Sequence, residues 1–311
     1  MVLPSRGLST YPELASKTLL SKPGRLSVME TYARALAKTD YDVIVAGSRL
    51  AWVMGAAARR GRGAKLVAML LGSDIRRLQS LPMTKRILME RSLKSSDYAF
   101  YTSPDTMELT SRLGVPFSRL PFPVDTKIFT PDGPAEDLSG DPAVFVPTRL
   151  DADKGTGTIA KVIRHILREH KDARLHMVKW AKAQATLDRV VGEIGSDRIT
   201  LVDFLKRRAM PRYYRGASVL IGQMQLGFGS MTEWESIGCG LPPVFYDIYD
   251  GYGVKERDPG VLSACFDRLV TDEKFRRTRV QEGLDLVRSY HEVGTVYQLF
   301  RERVKQLLEH R

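Results

Sequence analysis

Apolar positions in this chain fall into two patterns. Short, almost continuous apolar runs recur in the first half as YDVIVAGS (41–48), KLVAML (65–70), DYAFYT (97–102) and a weaker SRLPF (118–122). The second half repeats them as AVFVPT (143–148), RLHMVKW (174–180), RITLVDF (198–204), ASVLIG (217–222) and PPVFY (242–246). Runs apolar at nearly every position predict strands buried on both faces, as helix-covered parallel sheets require. Between them the apolar residues spread to helical spacing. LSVMETYARALAK (26–38) and the basic TKRILMERSLKSS (84–96) predict helices in the first half. Ile159, Val162, Ile163, Ile166 and Leu167 follow i, i+3, i+4, i+7, i+8 spacing, with Thr156 or Thr158 as the expected cap. Val296, Leu299, Phe300, Val304, Leu307 and Leu308 predict a terminal helix that covers an apolar surface. Strands alternating with helices give an α/β fold built from βαβ units.

The chain has 311 residues, which suits two domains of about 150 residues each. TPDGPAEDLSGDP (130–142) concentrates turn formers and reads as the linker. The expected division is 1–135, 136–285 and a C-terminal helical segment over 286–311. No run of about 18 apolar residues is present, so no bilayer-spanning segment is expected. The start, MVLPSRGLSTYPEL, lacks a signal-peptide core. Two cysteines, Cys239 and Cys265, make no disulfide framework and suit a reducing cytoplasm. The net charge is +12, and residues 51–100 carry ten Lys and Arg against three Asp and Glu. Such a face either meets anionic lipid headgroups, nucleic acid or a phosphorylated acceptor, or is a solvated surface without a specific partner.

Candidate chemistry sits at two strand-to-helix turns. In VPTRLDADKGTGT (146–158), Arg149 and Lys154 flank a loop that opens a helix. Two cations beside a helix N-terminus suit a diphosphate, though such a pair also occurs on ordinary surfaces. GQMQLGFGSMTEWESIGCGLPPVFY (222–246) places a Gly-rich loop, with Gly227, Gly229 and Ser230, before a helix carrying Glu235 and ending near Gly238. Glycines permit close backbone approach, and amides at a helix start cradle an anion. The carboxylate of Glu235 would accept from two adjacent ribose hydroxyls, or it is a helical Glu in a surface ion pair. His165, His170, His176, His291 and His310 show no metal-ligand spacing, so no metal site is expected. Trp52, Trp180 and Trp234 read as packing residues, with Trp234 the candidate for a sugar platform because it abuts Glu235.

Taken in order, three segments resemble the retaining GT-B glycosyltransferases of the family 4 type. They are LPFPVDTKIFTP (120–131), similar to the family's interdomain segment, RLDADKG (149–155), similar to its diphosphate loop, and ESIGCGLP (235–242), similar to its nucleotide-binding element. The resemblance is clearest over about 100–246 and fades before residue 40. It implies two Rossmann-like domains with parallel sheets facing a central cleft, and a C-terminal helix packing back. It further implies that Arg149 and Lys154 neutralise the donor diphosphate, that amides near Met231 and Thr232 meet the phosphates, and that Glu235 holds the ribose. Phe204 would line the base. No cofactor is implied: the substrate would be a nucleotide sugar such as a UDP- or GDP-sugar, and the reaction would need no metal.

Three departures accompany the resemblance. Gly227 stands where the family carries a sugar-gripping Glu, so Gln223 or Gln225 would have to stand in. Leu71-Gly72-Ser73-Asp74 lacks the family's acceptor-side His, leaving Asp74 as the polar catalytic candidate there, or as a helix N-cap. The N-terminal domain also lacks an evident opening strand and Gly-Gly loop. The expected function is transfer of a sugar to a glycan or lipid-linked acceptor, in the cytoplasm or peripherally at the inner membrane face, with the basic 51–100 region on anionic lipid. Alternatives are transfer to nucleic acid, for which no helix-turn-helix or aromatic strip speaks, and a non-catalytic nucleotide-binding scaffold.

Overall fold

The computed structural model describes residues 42–59, 63–180, 184–195 and 197–309. The helix expected over 26–38 and His310 lie outside these residues. Contacts divide the chain into two compact units, one ending at Leu120 and including the residues from Gln298 onward, the other spanning Pro121–Tyr297.

The first unit runs β1 (Val43–Ala46), α1 (Arg49–Ala58), β2 (Lys65–Leu70), α2 (Gly72–Arg76), α3 (Met83–Lys94), β3 (Tyr98–Tyr101), α4 (Met107–Ser111) and β4 (Phe117–Arg119). Its strands pair in the order β1-β2-β3-β4, all parallel. The apolar runs are buried as their composition requires: Leu66, Val67, Ala68 and Leu70 of β2 are closed to solvent. Trp52 packs in this core and donates its indole N–H to the Met69 carbonyl. It is the packing residue the sequence predicts.

The second unit runs β5 (Ala143–Val146), α5 (Thr156–Glu169), β6 (Arg174–Val178), α6 (Gln184–Ile194), β7 (Ile199–Val202), α7 (Met210–Gly216), β8 (Val219–Ile221), α8 (Met231–Gly238), β9 (Pro243–Val244), α9 (Pro259–Thr271), α10 (Glu273–Leu286) and the start of α11 (Val293–Glu309). Its sheet is parallel with order β7-β6-β5-β8-β9. Strand order reverses between β5 and β8, and at such a switch point the loops leaving the two strands part and open a crevice. The stripe Ile159, Val162, Ile163, Ile166 and Leu167 buries α5 against the sheet as its spacing requires. Neither threonine caps that helix. Gly155 occupies the N-cap position with left-handed backbone, and the Thr156 hydroxyl donates to the Asp151 carbonyl.

Residues 121–135 pack on the second unit, whereas the sequence reading assigns them to the first domain. Val124 and Phe129 enter the core formed with Trp234, Ile237 and Phe245, and Arg215 donates to the carbonyls of Thr130 and Pro134. The Pro- and Gly-rich stretch 130–142 is therefore a surface turn of one unit. The α11 residues from Gln298 group with the first unit: Phe300 packs on Phe100 at 5.4 Å between ring centres, and Arg303 lies over the Tyr98 ring. Of the apolar residues predicted to cover a surface there, Val296 is buried and Leu299 is exposed.

Candidate functional site

The loops leaving β5 and β8 meet at the switch point of the second sheet. They are tied by the Met224 amide donating to the Lys154 carbonyl at 2.9 Å. Gly155 makes this approach possible. Its φ is +79°, and a Cβ there would stand 2.8 Å from the Met224 carbonyl carbon. Gly155→Ala should therefore cost about 1–3 kcal/mol of stability, the usual penalty for a side chain in left-handed backbone. Thermal unfolding checks it, and an unchanged Tm would refute the strain.

The Gly-rich loop after β8 holds its shape through two side chains. Gln223 is fully buried. Its amide group donates to the carbonyls of Phe228 (2.6 Å) and Tyr246 (3.1 Å), and its oxygen accepts from the amides of Gln225 and Leu226. An amide group satisfied in this way positions the loop and has no donor left for a sugar. The stand-in role considered for Gln223 is thus replaced by a structural one, while Gln225 is exposed. Glu233 is the second residue. Its carboxylate accepts from the amides of Gln223 (2.8 Å) and Ser230 (2.9 Å) and from the Ser230 hydroxyl. Ser230 and Glu233 form a capping box that starts α8. The expected ligand groups of Ser230 are consequently engaged within the protein, and the first unclaimed turn of α8 presents Met231 and Thr232.

Gly227 has φ +78°, and a Cβ there would approach Ile248 at 3.0 Å and Tyr246 at 3.2 Å. The backbone, not only the side chain, departs from one that suits a glutamate. Gly229 has no room for a side chain against Trp234, whose ring would lie 2.7 Å away. Trp234 is wholly buried, donates to the Gly229 carbonyl and stacks on His291 at 3.9 Å. It is a packing residue and offers no sugar platform.

A cavity of about 270 Å³ opens beside α8. Its lining includes Glu235, Tyr214 and Met210, with Trp180, Phe204 and Arg207, and Met231 and Thr232 of α8. Phe204 is 64% exposed and meets Trp180 edge to face at 5.6 Å. Trp180, expected only to pack, thereby lines the cavity together with Phe204. Glu235 is 4% exposed, and its Oε1 accepts from Arg207 Nε at 2.7 Å. Burial pushes the Glu235 carboxyl upward, and Arg207 pulls it partly back. The Tyr214 hydroxyl is buried without a hydrogen-bond partner among the described residues, and burial together with the nearby Glu235 raises it well above the usual phenol range.

Arg149 leaves the same edge of β5 but is not bare. It pairs with Asp151 and, at 3.5 Å, with Asp153, both in its own loop, and its guanidinium lies 5.7 Å from the Trp180 ring centre. Lys154 ends the short 3-10 turn Ala152–Lys154 directly before α5. Asp74 belongs to the first unit. It lies in the first turn of α2 and pairs with Arg49 at 3.0 Å, while Leu71 takes the N-cap position. The capping role considered for Asp74 is therefore not the one it plays.

Sequence reading missed Arg207, Trp180 and Tyr214. They sit on irregular segments after β7 and β6 and on the short α7, where no periodicity or motif marks them. Among the described residues, no group of three or more His, Cys, Asp or Glu side chains is placed to hold a metal. Both cysteines are free thiols, and burial pushes the Cys239 thiol up to about 12.

Two parallel α/β units, the second with a switch point in its strand order, match a GT-B-type architecture, and solved structures share it. A sucrose-phosphate synthase from Thermosynechococcus elongatus superimposes with TM-score 0.73 at 19% identity, over 94% of this chain and 82% of its own. HepE of Anabaena, solved with UDP-glucose, gives 0.73 at 15% identity over 90% and 82%. A glycosyltransferase from Rickettsia africae gives 0.70 at 14% identity over 96% and 88%. At these identities the likeness concerns the fold. No curated protein sequence matches the chain. Residues 3–123 match the family model described as a glycosyl transferase 4-like domain. The chain thus has the GT-B fold, and its N-terminal part is similar to a glycosyl transferase 4-like domain. That match begins at residue 3, so it covers the stretch before residue 40 where the motif resemblance fades.

Proposed function

We propose that this protein transfers a sugar from a nucleoside-diphosphate sugar to a glycan or lipid-linked acceptor, with retention of configuration and without a metal cofactor. The observation that carries the reading is the one edge of the second sheet where a cavity lined by Trp180 and Phe204, a buried carboxylate, the loop bearing Arg149 and Lys154, and a helix N-terminus lie together. In this reading Trp180 and Phe204 take the base. Glu235 has one oxygen committed to Arg207 and turns its carboxylate to the ribose. Lys154, Arg149 and the amides of Met231 and Thr232 take the diphosphate. As the glycosidic C–O bond breaks, charge collects on the departing phosphate, and fixed cations stabilise it. The acceptor hydroxyl gives its proton to a phosphate oxygen and forms the new C–O bond on the same face. Asp74 is the polar candidate on the acceptor-side unit. The bound UDP-glucose of HepE favours a UDP-sugar as the first donor to test.

Nucleotide release from UDP- and GDP-sugars, together with a nucleotide-induced rise in Tm, tests the reading. No release and no shift with any donor would overturn it. Exhaustive chelation should leave the rate unchanged, because the positive charge at the diphosphate comes from Arg149, Lys154 and backbone amides. A rate lost with chelator and restored by a divalent ion would refute the metal-free part alone. A nucleotide-binding scaffold without transfer is the second reading, favoured by the left-handed Gly227 where the family grips the sugar with Glu. A nucleotide-induced shift without turnover would select it.

A further inference from the structure

The first unit presents a surface that the donor site does not explain. Helix α3 is fixed by its inner face, where Ser92 and Leu93 are buried. Its outer face carries Met83, Ile87, Arg91 and Lys94 in i, i+4, i+8, i+11 register, with Leu88 beside Arg91. Met83 is 71% exposed, Leu88 51% and Ile87 37%. A helix of a soluble surface would place polar residues here. Instead, apolar side chains alternate with cations, and the one acidic residue of α3, Glu90, is paired with Arg86 at 3.3 Å. Lys85, Arg91 and Lys94 form no ion pair among the described residues.

Beside this face lies a groove of about 730 Å³ lined by Leu88 and Arg91 of α3 and by Arg59, Lys65 and Ser95. It opens at the edge where β2 and β3 begin, the opposite end of the sheet from α2 and Asp74. Arg59 and Lys65 share Asp97 at 2.6 and 4.0 Å, so the groove keeps an excess of positive charge once Arg91 is counted.

We infer that the outer face of α3 docks on an anionic lipid bilayer, with lipid phosphates at Arg91, Lys94 and the mouth of the groove, and with Met83, Ile87 and Leu88 at the acyl boundary. The charge pattern selects this occupant. A nucleic-acid backbone would use the cations but leave three large apolar side chains in water. A bilayer interface accepts both, because long basic side chains reach up to the headgroups while neighbouring apolar ones sink. The inference rests on this surface and not on the donor reading, so either can fail alone.

Flotation of the full chain with vesicles of equal parts phosphatidylcholine and phosphatidylglycerol tests it, against phosphatidylcholine alone and duplex DNA at about 0.15 M salt. Binding to the anionic vesicles only is expected. Arg91→Gln and Lys94→Gln should each weaken it about fivefold, the usual weight of one cation at such a surface. Met83→Ser with Leu88→Ser should weaken it further at unchanged Tm, since these side chains point to solvent. Equal binding to neutral vesicles, unaltered binding by either set of variants, or preference for DNA would overturn the inference.

Discussion

Replacing Lys154 by alanine should lower kcat about a hundred- to a thousandfold, the range found when one preorganised charge-stabilising donor is removed. The effect should fall on kcat more than on nucleotide affinity. Charge on the β-phosphate grows as the glycosidic bond breaks, so an interaction that strengthens in the transition state acts mainly on the chemical step. Lys154 is a cleaner probe than Arg149. The loop around Lys154 is held by its own carbonyl and by Gly155, neither of which the substitution touches. Arg149, by contrast, pairs with the buried Asp151, so Arg149→Ala would remove that ion pair and mix lost stability with lost catalysis. The expected signature of Lys154→Ala is a modest change in nucleotide Kd and a collapsed kcat, with part of the rate restored in Lys154→Arg. A variant whose kcat is unchanged would remove Lys154 from the mechanism. One whose Kd rises while kcat is unchanged would make it a binding residue only.

The pairing of Arg149 also shows where sequence reading stops. The cations were legible because spacing along one loop is a local property. Asp151 and Asp153 stand in the same loop, but nothing in their order says that they close on Arg149 rather than point to water. Strands β2 and β5 were legible for a similar reason: a run apolar at every position has few places to go except a helix-covered sheet. The capping role of Ser230 is written locally in the Ser-x-x-Glu spacing of Ser230 and Glu233, whereas the role of Gln223 depends on partners further along the chain. Glu233 turns back from α8 to take both the Ser230 and Gln223 amides, and Gln223 spans to the carbonyl of Tyr246. The domain boundary slipped for another reason. Pro and Gly over 130–142 mark turns, but composition does not record which body those turns lie on. Contacts of Val124 and Phe129 with Ile237 and Phe245 decide that. Arg207, which meets Glu235 across 28 positions, carries no local signal at all.

That pair sets the second large effect. Glu235→Gln should weaken nucleoside-diphosphate binding about ten- to a hundredfold, since hydrogen bonds to a charged group contribute about 1.5–3 kcal/mol. The pH dependence gives the sign a second check. Burial raises the Glu235 carboxyl above its ordinary value. Ribose hydroxyls donate to the ionised form, so affinity should fall as pH drops through that raised value, starting at a higher pH than for an ordinary carboxylate. Stability of the unliganded protein moves the other way. A carboxyl whose folded value is raised contributes stability below its unfolded value and loses it as pH rises through the folded one. At neutral pH the ionised Glu235 is therefore a cost to the fold, relieved in part by Arg207. Arg207 is itself mostly exposed, so losing its partner costs little. Glu235→Gln should accordingly bind nucleotide poorly, lose the pH dependence, and keep or raise its Tm at neutral pH. Calorimetric titration across pH and a melting curve check these together. A variant that binds normally would remove the ribose role, and one that melts several degrees lower would show that the Arg207–Glu235 pair holds the fold rather than the ligand.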